Sequence, residues 1–235
     1  MVNTGFALYL RYCAGNSVAL SCIWMQRVAV LWLAWELSES TFWSSVVLAA
    51  QLVPTEIIGP LYGAVADRVR IIPAMVKGQL VLAVLTTLLF ALTLANLITV
   101  GLLIVFECLI GIAVSAHQPL RMALVPAFVP KVLMPRAIAL DSMVFNLTRM
   151  IGPALAGLLI VMVGIAPVLL LGAIGNLALA LVLWSLRINA AKSTTSSGSV
   201  LLQLHKGWAV IYDNSQVARA FLLTAVFGFG GRAAV

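Results

Sequence analysis

Four ionisable side chains stand inside stretches that are otherwise apolar: Arg27, Glu56, Glu107 and Arg149. A charge at the centre of a bilayer costs roughly 3 kcal/mol or more on insertion scales, so each marks a place with polar surroundings. At ~1.5 Å per helical residue, Glu56 lies ~18 Å from the outer end of its run and Glu107 ~13 Å from the start of its own. Glu56 is therefore too deep to reach water by extending its side chain. A carboxyl held there can take up and release a proton as its surroundings change, which is the chemistry of proton-coupled transport. It can equally be the buried partner of Arg27 or Arg149. Glu107 carries the same two readings, with contact to a cationic substrate added to the first. Arg27 lies nearer the outer end, where structure or substrate contact fits better than a proton relay. Arg149 precedes Gly152-Pro153, where it can satisfy carbonyls that the proline leaves without a donor.

No other chemistry is written in the chain. There is no His-Glu-x-x-His, no Asp pair at helical spacing and no Ser/His/Asp set, so no catalytic residues and no enzyme are expected. Cys13, Cys22 and Cys108 show neither Cys-x-x-Cys nor Cys/His ligand spacing, and they read as packing residues with no bridge, no metal and no cofactor. His117, beside Gln118 and Pro119, reads as an interfacial polar residue. Asn146-Leu147-Thr148 matches a glycosylation pattern but lies inside a span.

The elements that must position these residues are membrane spans. Of the 235 residues, 63% are hydrophobic and 9% charged, with a mean hydropathy of +1.13; in soluble domains about a quarter are charged. The apolar runs recur at about 20 residues, the length that crosses ~30 Å of hydrocarbon. They are continuous rather than alternating, which excludes a β-barrel. Six spans are predicted, at about Cys13 to Trp35, Phe42 to Ala66, Pro73 to Ala95, Ile98 to Ala116, Ile138 to Val163 and Pro167 to Leu186. Short connections at 36–41, 96–97 and 164–166 make three antiparallel hairpins. Spans three and six hold no ionisable group in their cores, so they are expected to face lipid while the other four surround something polar.

Net charge is +7, but the basic residues are spread over short loops, which argues against nucleic acid. Arg11, Arg68, Arg70, Lys77, Arg121, Lys131, Arg136 and the cations after span six all fall on one side, and the three hairpin loops opposite contain no Lys or Arg. The positive-inside rule places that side and the N-terminus in the cytoplasm. Trp32, Trp35 and Trp43 then mark the outer interface and Trp184 the inner one. The first span shows no cleavable signal pattern and is expected to stay. Lys192 to Ser199 reads as a polar linker, and 200–212 as a short amphipathic helix on the membrane surface. A seventh run begins near Ala218 but holds too few clean apolar residues to span. The polypeptide is expected to be the front part of something longer.

Two stretches are organised around glycine. Gly59, Gly63 and Asp67 recur every four residues near one helix face, a spacing that lets two helices approach closely, with Arg68 and Arg70 at the exit forming a polar latch. Glu56-Ile-Ile-Gly59-Pro60-Leu-Tyr-Gly63 in span two resembles Arg149-Met-Ile-Gly152-Pro153-Ala-Leu-Ala-Gly157 in span five. Each is the middle member of a three-span set, and the sets run in opposite directions, as in transporters built from inverted repeats.

Gly63-x-x-x-Asp67-Arg68 resembles the loop signature of the major facilitator superfamily, and Asn146 to Gly157 resembles that superfamily's antiporter motif. Trp24-Met25-Gln26 and Pro119-Leu-Arg121-Met-Ala-Leu-Val-Pro126 are similar to the branch containing the enterobactin exporter and macrolide efflux proteins. Departures occur at Arg70, where that family usually has Gly or Asp, at Ile71 and Ile72 in place of basic residues, and at Asp141-Ser142 in place of Asn-Ser. The resemblance implies an all-α integral membrane fold, a six-helix bundle with a 3+3 inverted repeat that is half of a twelve-helix transporter. It implies residues 1–187 as the N-terminal half, 188–217 as a cytoplasmic linker and 218–235 as the start of a seventh helix. It further implies a proton-driven exporter of drugs, siderophores or other small amphipathic molecules, working by alternating access in the bacterial inner membrane. Its partners would be the lipid bilayer, protons, a small-molecule substrate and a missing C-terminal six-helix half. The alternatives are the membrane domain of an ATP-driven pump, for which the short loops leave no docking extensions, and a membrane-embedded enzyme.

The orientation is tested with a membrane-impermeant maleimide on variants lacking the native cysteines. A cysteine at Lys131 should label only from the cytoplasmic side and one at Asn96 only from outside; the reverse pattern would invert the topology.

Overall fold

The computed structural model describes residues 2–66, 69–186 and 219. Among them there are seven α-helices and no strand: α1 Val2–Ser38, α2 Thr41–Ala66, α3 Ile71–Leu94, α4 Val100–Ser115, α5 His117–Phe128, α6 Met134–Val163 and α7 Ile165–Ser185, with a 3-10 turn at Lys131–Leu133. Six candidate spans result, because α4 and α5 together form one, Val100–Phe128. The linker, the amphipathic segment and the seventh run predicted after span six lie outside the described residues.

Each hairpin turns on one residue with positive φ, Glu39 (48°), Asn96 (55°) and Gly164 (85°). Thr99 caps α4 by accepting from the Leu102 amide at 3.3 Å.

Two predicted boundaries move outward, both because aromatic and aliphatic packing carries the helix on. α1 begins at Val2 rather than near Cys13, and its Tyr9 and Tyr12 rings lie 6.2 and 5.9 Å from Phe128 of α5. The fourth span continues past Ala116 into α5, whose Leu120, Leu124, Val125 and Phe128 are buried at helical spacing. Tyr9 is fully buried, and its hydroxyl donates to the Ala137 carbonyl of α6 at 2.7 Å.

The buried apolar residues form two clusters along α1. One gathers Tyr9, Tyr12 and Ala19 with Met75, Leu124, Phe128 and Leu183. The other gathers Met25, Ala29 and Leu33 with Leu89, Leu103 and Leu169. The residues around Trp24 mark the division between them.

The two three-span sets exchange partners. α1 packs on α6, α2 on α4, and α3 and α7 make the most extensive pairing. Spans three and six are therefore core elements that expose one apolar face each, not simple lipid-facing helices. They contribute the buried polar residues Gln79, Thr86 and Asn176. Lacking ionisable groups did not keep polar side chains out of their packed faces: Thr86 Oγ1 donates to the carbonyl of Leu82 in its own helix at 2.7 Å and lies 3.4 Å from Gln26 Oε1 of α1, while Gln79 Oε1 and Asn176 Oδ1 have no hydrogen-bond partner among the described residues. α2 and α6 are the open helices: 11% and 22% of their most apolar windows are buried, against 44% for α1 and α7.

Close helix approach is found at glycines other than the Gly59/Gly63 pair. A Cβ at Gly59 would reach only the Ser115 carbonyl at 4.0 Å, and one at Gly63 would meet nothing within 4 Å. At Gly111 of α4 a Cβ would run into the backbone of Gln51 in α2, and at Gly152 of α6 it would stand 2.6 Å from Trp24 Cβ and 3.1 Å from the Ser21 carbonyl of α1. Neither can yield by a side-chain rotation, so Gly111→Ala and Gly152→Ala should each cost roughly 1–3 kcal/mol through overpacking. Gly157→Ala, with nothing within 4 Å, should leave the melting temperature in detergent unchanged or higher; equal losses at all three would contradict these helix crossings.

Candidate functional site

The charged residues and two aromatic rings form a connected group where α1, α4, α5 and α6 meet. Trp24 of α1 is half-buried at its centre. The Arg27 guanidinium lies 4.7 Å from the Trp24 ring centroid and that of Arg149, from α6, lies 5.7 Å away. Phe145, on the same helix as Arg149, meets Trp24 edge-on at 5.9 Å. On its other contact Phe145 has Arg121 of α5, 6.0 Å from the ring centroid. Arg121 Nη2 closes the series on Asp141 Oδ2 at 3.1 Å. Cations held over aromatic faces gain about 0.5–2 kcal/mol each, more when water is excluded.

Local structure explains why these groups meet. Trp24 and Arg27 are one turn apart on α1, and so are Phe145 and Arg149 on α6 within about one turn. Gly152 lets α6 approach α1 closely enough for the two pairs to touch. α6 runs through Pro153 without losing its helix. Arg149 lies over the indole rather than on the carbonyls freed by the proline.

Glu107 is the buried carboxylate of the group, 3% exposed in α4. Arg27 is the cation that acts on it, and its Oε1 has no hydrogen-bond partner among the described residues. The indole Nε1–H of Trp24 also lacks an acceptor there. Nearby, Gln51 of α2 is buried, and the Thr55 hydroxyl lies 2.7 Å from the Gln51 carbonyl and 3.0 Å from that of Gly111.

Of the residues singled out from the sequence, Arg27, Glu107 and Arg149 are brought together, and Gly152 sets their spacing. Glu56 is not held deep inside this bundle; it is exposed, because α2 turns that side outward. Pro153 is half-buried and Gly157 is exposed with open space beside it. Gly63 faces open space too, Arg70 is exposed in an extended conformation at the N-terminus of α3, and Asp67 and Arg68 lie outside the described residues. No group of three or more His, Cys, Asp or Glu able to hold a metal occurs among the described residues.

Trp24, Phe145 and the Arg121–Asp141 pair were missed as site residues. Arg121 reads as a loop cation in the sequence, but it is buried in a helix and paired. The available signal was Asp141, an acid at the fourth position of the predicted run Ile138 to Val163.

Comparison with known proteins bears on this arrangement. The chain matches the family described as transmembrane secretion effector over residues 11–235. It is similar to a staphyloferrin A transporter of Staphylococcus aureus (strain NCTC 8325 / PS 47), with 27% identity over 141 residues. That match covers 58% of this chain and 35% of the relative, so the chain corresponds to about a third of that protein's length. No solved structure matches.

Because Arg121 and Asp141 are 7% and 12% exposed at their side chains, breaking the pair leaves a charge without its counter-ion. Asp141→Asn should lose roughly 3–5 kcal/mol of stability. The double change Arg121→Gln with Asp141→Asn should recover part of it in a thermal melt. A single variant that melts like the parent would show the pair to be dispensable.

Proposed function

Because this chain belongs to the transmembrane secretion effector family, within the major facilitator superfamily, we propose that it forms the N-terminal half of a proton-coupled exporter. In this reading the exporter moves small amphipathic molecules by alternating access, and its nearest branch is that of the enterobactin exporter and macrolide efflux proteins. The similarity to a staphyloferrin A transporter supports a siderophore or another small polar-and-apolar molecule as cargo.

The observation that carries the proposal is Glu107. It is buried in α4, one of its carboxylate oxygens has no hydrogen-bond partner among the described residues, and a guanidinium acts on it from α1. A carboxyl in such a place has a use for a proton: protonated it is neutral in a low-dielectric site, and ionised it leans on Arg27. Alternation between the two states couples proton passage to whatever rearranges around Trp24. Glu56, exposed on α2, is a second candidate for the path.

The bare faces of α2 and α6 support a second six-helix half as the missing partner, closing a cavity against α1, α4, α5 and α6. Gly63, Asp67, Arg68 and Arg70 would then act as a latch at the end of α2, on the cytoplasmic side, with the N-terminus also cytoplasmic and the whole in the bacterial inner membrane.

In proteoliposomes containing the full-length transporter, an imposed pH gradient should drive export of the cargo. Glu107→Gln should lower gradient-driven export at least ~10-fold, the effect of losing a proton-transfer group, with insertion unchanged. Glu56→Gln run beside it separates the two carboxyls. Export that keeps its full gradient dependence in both variants would remove proton coupling from the proposal.

A further inference from the structure

The charge balance around Trp24 is uneven. Arg121 is taken by Asp141 at 3.1 Å, and Arg27 acts on Glu107. Arg149 remains, with an exposed side chain 5.7 Å from the Trp24 ring centroid and no salt bridge among the described residues. The same exposed face of α6 carries Ser142 and Asn146, two and one turns before Arg149, and no acid. The Asn146 side chain is already committed, donating to the Ser142 carbonyl at 2.8 Å.

An unmatched guanidinium in a span is costly, on the order of 3 kcal/mol. Its planar fork fits two oxygens of one carboxylate. The half-buried indole beside it supplies aromatic surface next to that fork. We infer that Arg149 and Trp24 form the recognition point for the carboxylate of a small amphipathic anion whose ring or apolar part lies along the indole. The cargo class is thus organic anions rather than cationic drugs. Placing that anion as cargo rests on the exporter reading above, but its binding does not.

Two probes that share a ring system and differ in charge test this: 2-naphthoate and 2-naphthyltrimethylammonium. Equilibrium binding of each is measured calorimetrically on the purified full-length protein in lipid nanodiscs, without a proton gradient and against empty discs. The carboxylate should bind at least ~10-fold tighter than the ammonium. Arg149→Gln should weaken the carboxylate at least ~10-fold and leave the ammonium unchanged, while Arg149→Lys, which keeps the charge but not the fork, should retain part of the affinity.

Tighter binding of the ammonium, no binding of 2-naphthoate, or equal 2-naphthoate affinity in Arg149→Gln would overturn the assignment. The last result together with a lowered melting temperature would make Arg149 a structural partner of another helix. Export assays with the same probes keep the two readings apart. Arg149-dependent binding of 2-naphthoate without any export would sink the exporter and leave the anion site standing. Export of the ammonium alone would do the opposite.

Discussion

A charge left unmatched in hydrocarbon is costly, and that cost orders the middle of this bundle. Arg121 and Asp141 answer it by direct contact, Arg27 and Glu107 by proximity, and the rings of Trp24 and Phe145 fill the gaps between cations that would otherwise repel one another. Charged groups and aromatic faces alternate across α1, α4, α5 and α6. A series of that kind is stable while every member is in place and sensitive to a proton or an anion added to any one of them.

Backbone proximity makes the series possible. At Gly111 and Gly152 the facing elements are backbone or the root of a side chain, so the distance between helices is set by the absence of a Cβ. Gly175 does the same between α7 and α1, where an added Cβ would stand 2.6 Å from Cys22 Cβ. These three crossings tie the first three-span set to the second. Because Gly152 abuts Trp24 itself, the position of the indole, and with it the separation of Arg27 and Arg149, is a consequence of that helix contact. A rearrangement of α6 against α1 therefore reaches the charged residues directly.

The spans, their hairpins and three of the charged residues at the site were legible from residue order. Hydropathy is a local property summed over about 20 residues, and the cost of charge in hydrocarbon makes Arg27, Glu107 and Arg149 conspicuous wherever they point. The limits of the fourth span were not legible. Leu120, Leu124 and Phe128 are too sparse in a stretch holding His117, Arg121 and two prolines to look like membrane helix. They become one because Tyr9 and Tyr12 cover them.

Sequence alone determined that residues 2–186 hold six membrane-spanning stretches with ionisable groups inside them, since both follow from the transfer cost of individual side chains. The tertiary structure decided which groups meet. Gly152 and Gly157 look alike in the chain, yet one presses on Trp24 and the other faces open space. Glu56 and Glu107 look equally buried, yet one is exposed and the other enclosed. The physical reason is that a helix presents every side of itself to some neighbour, and the identity of that neighbour is set by packing between helices far apart in sequence.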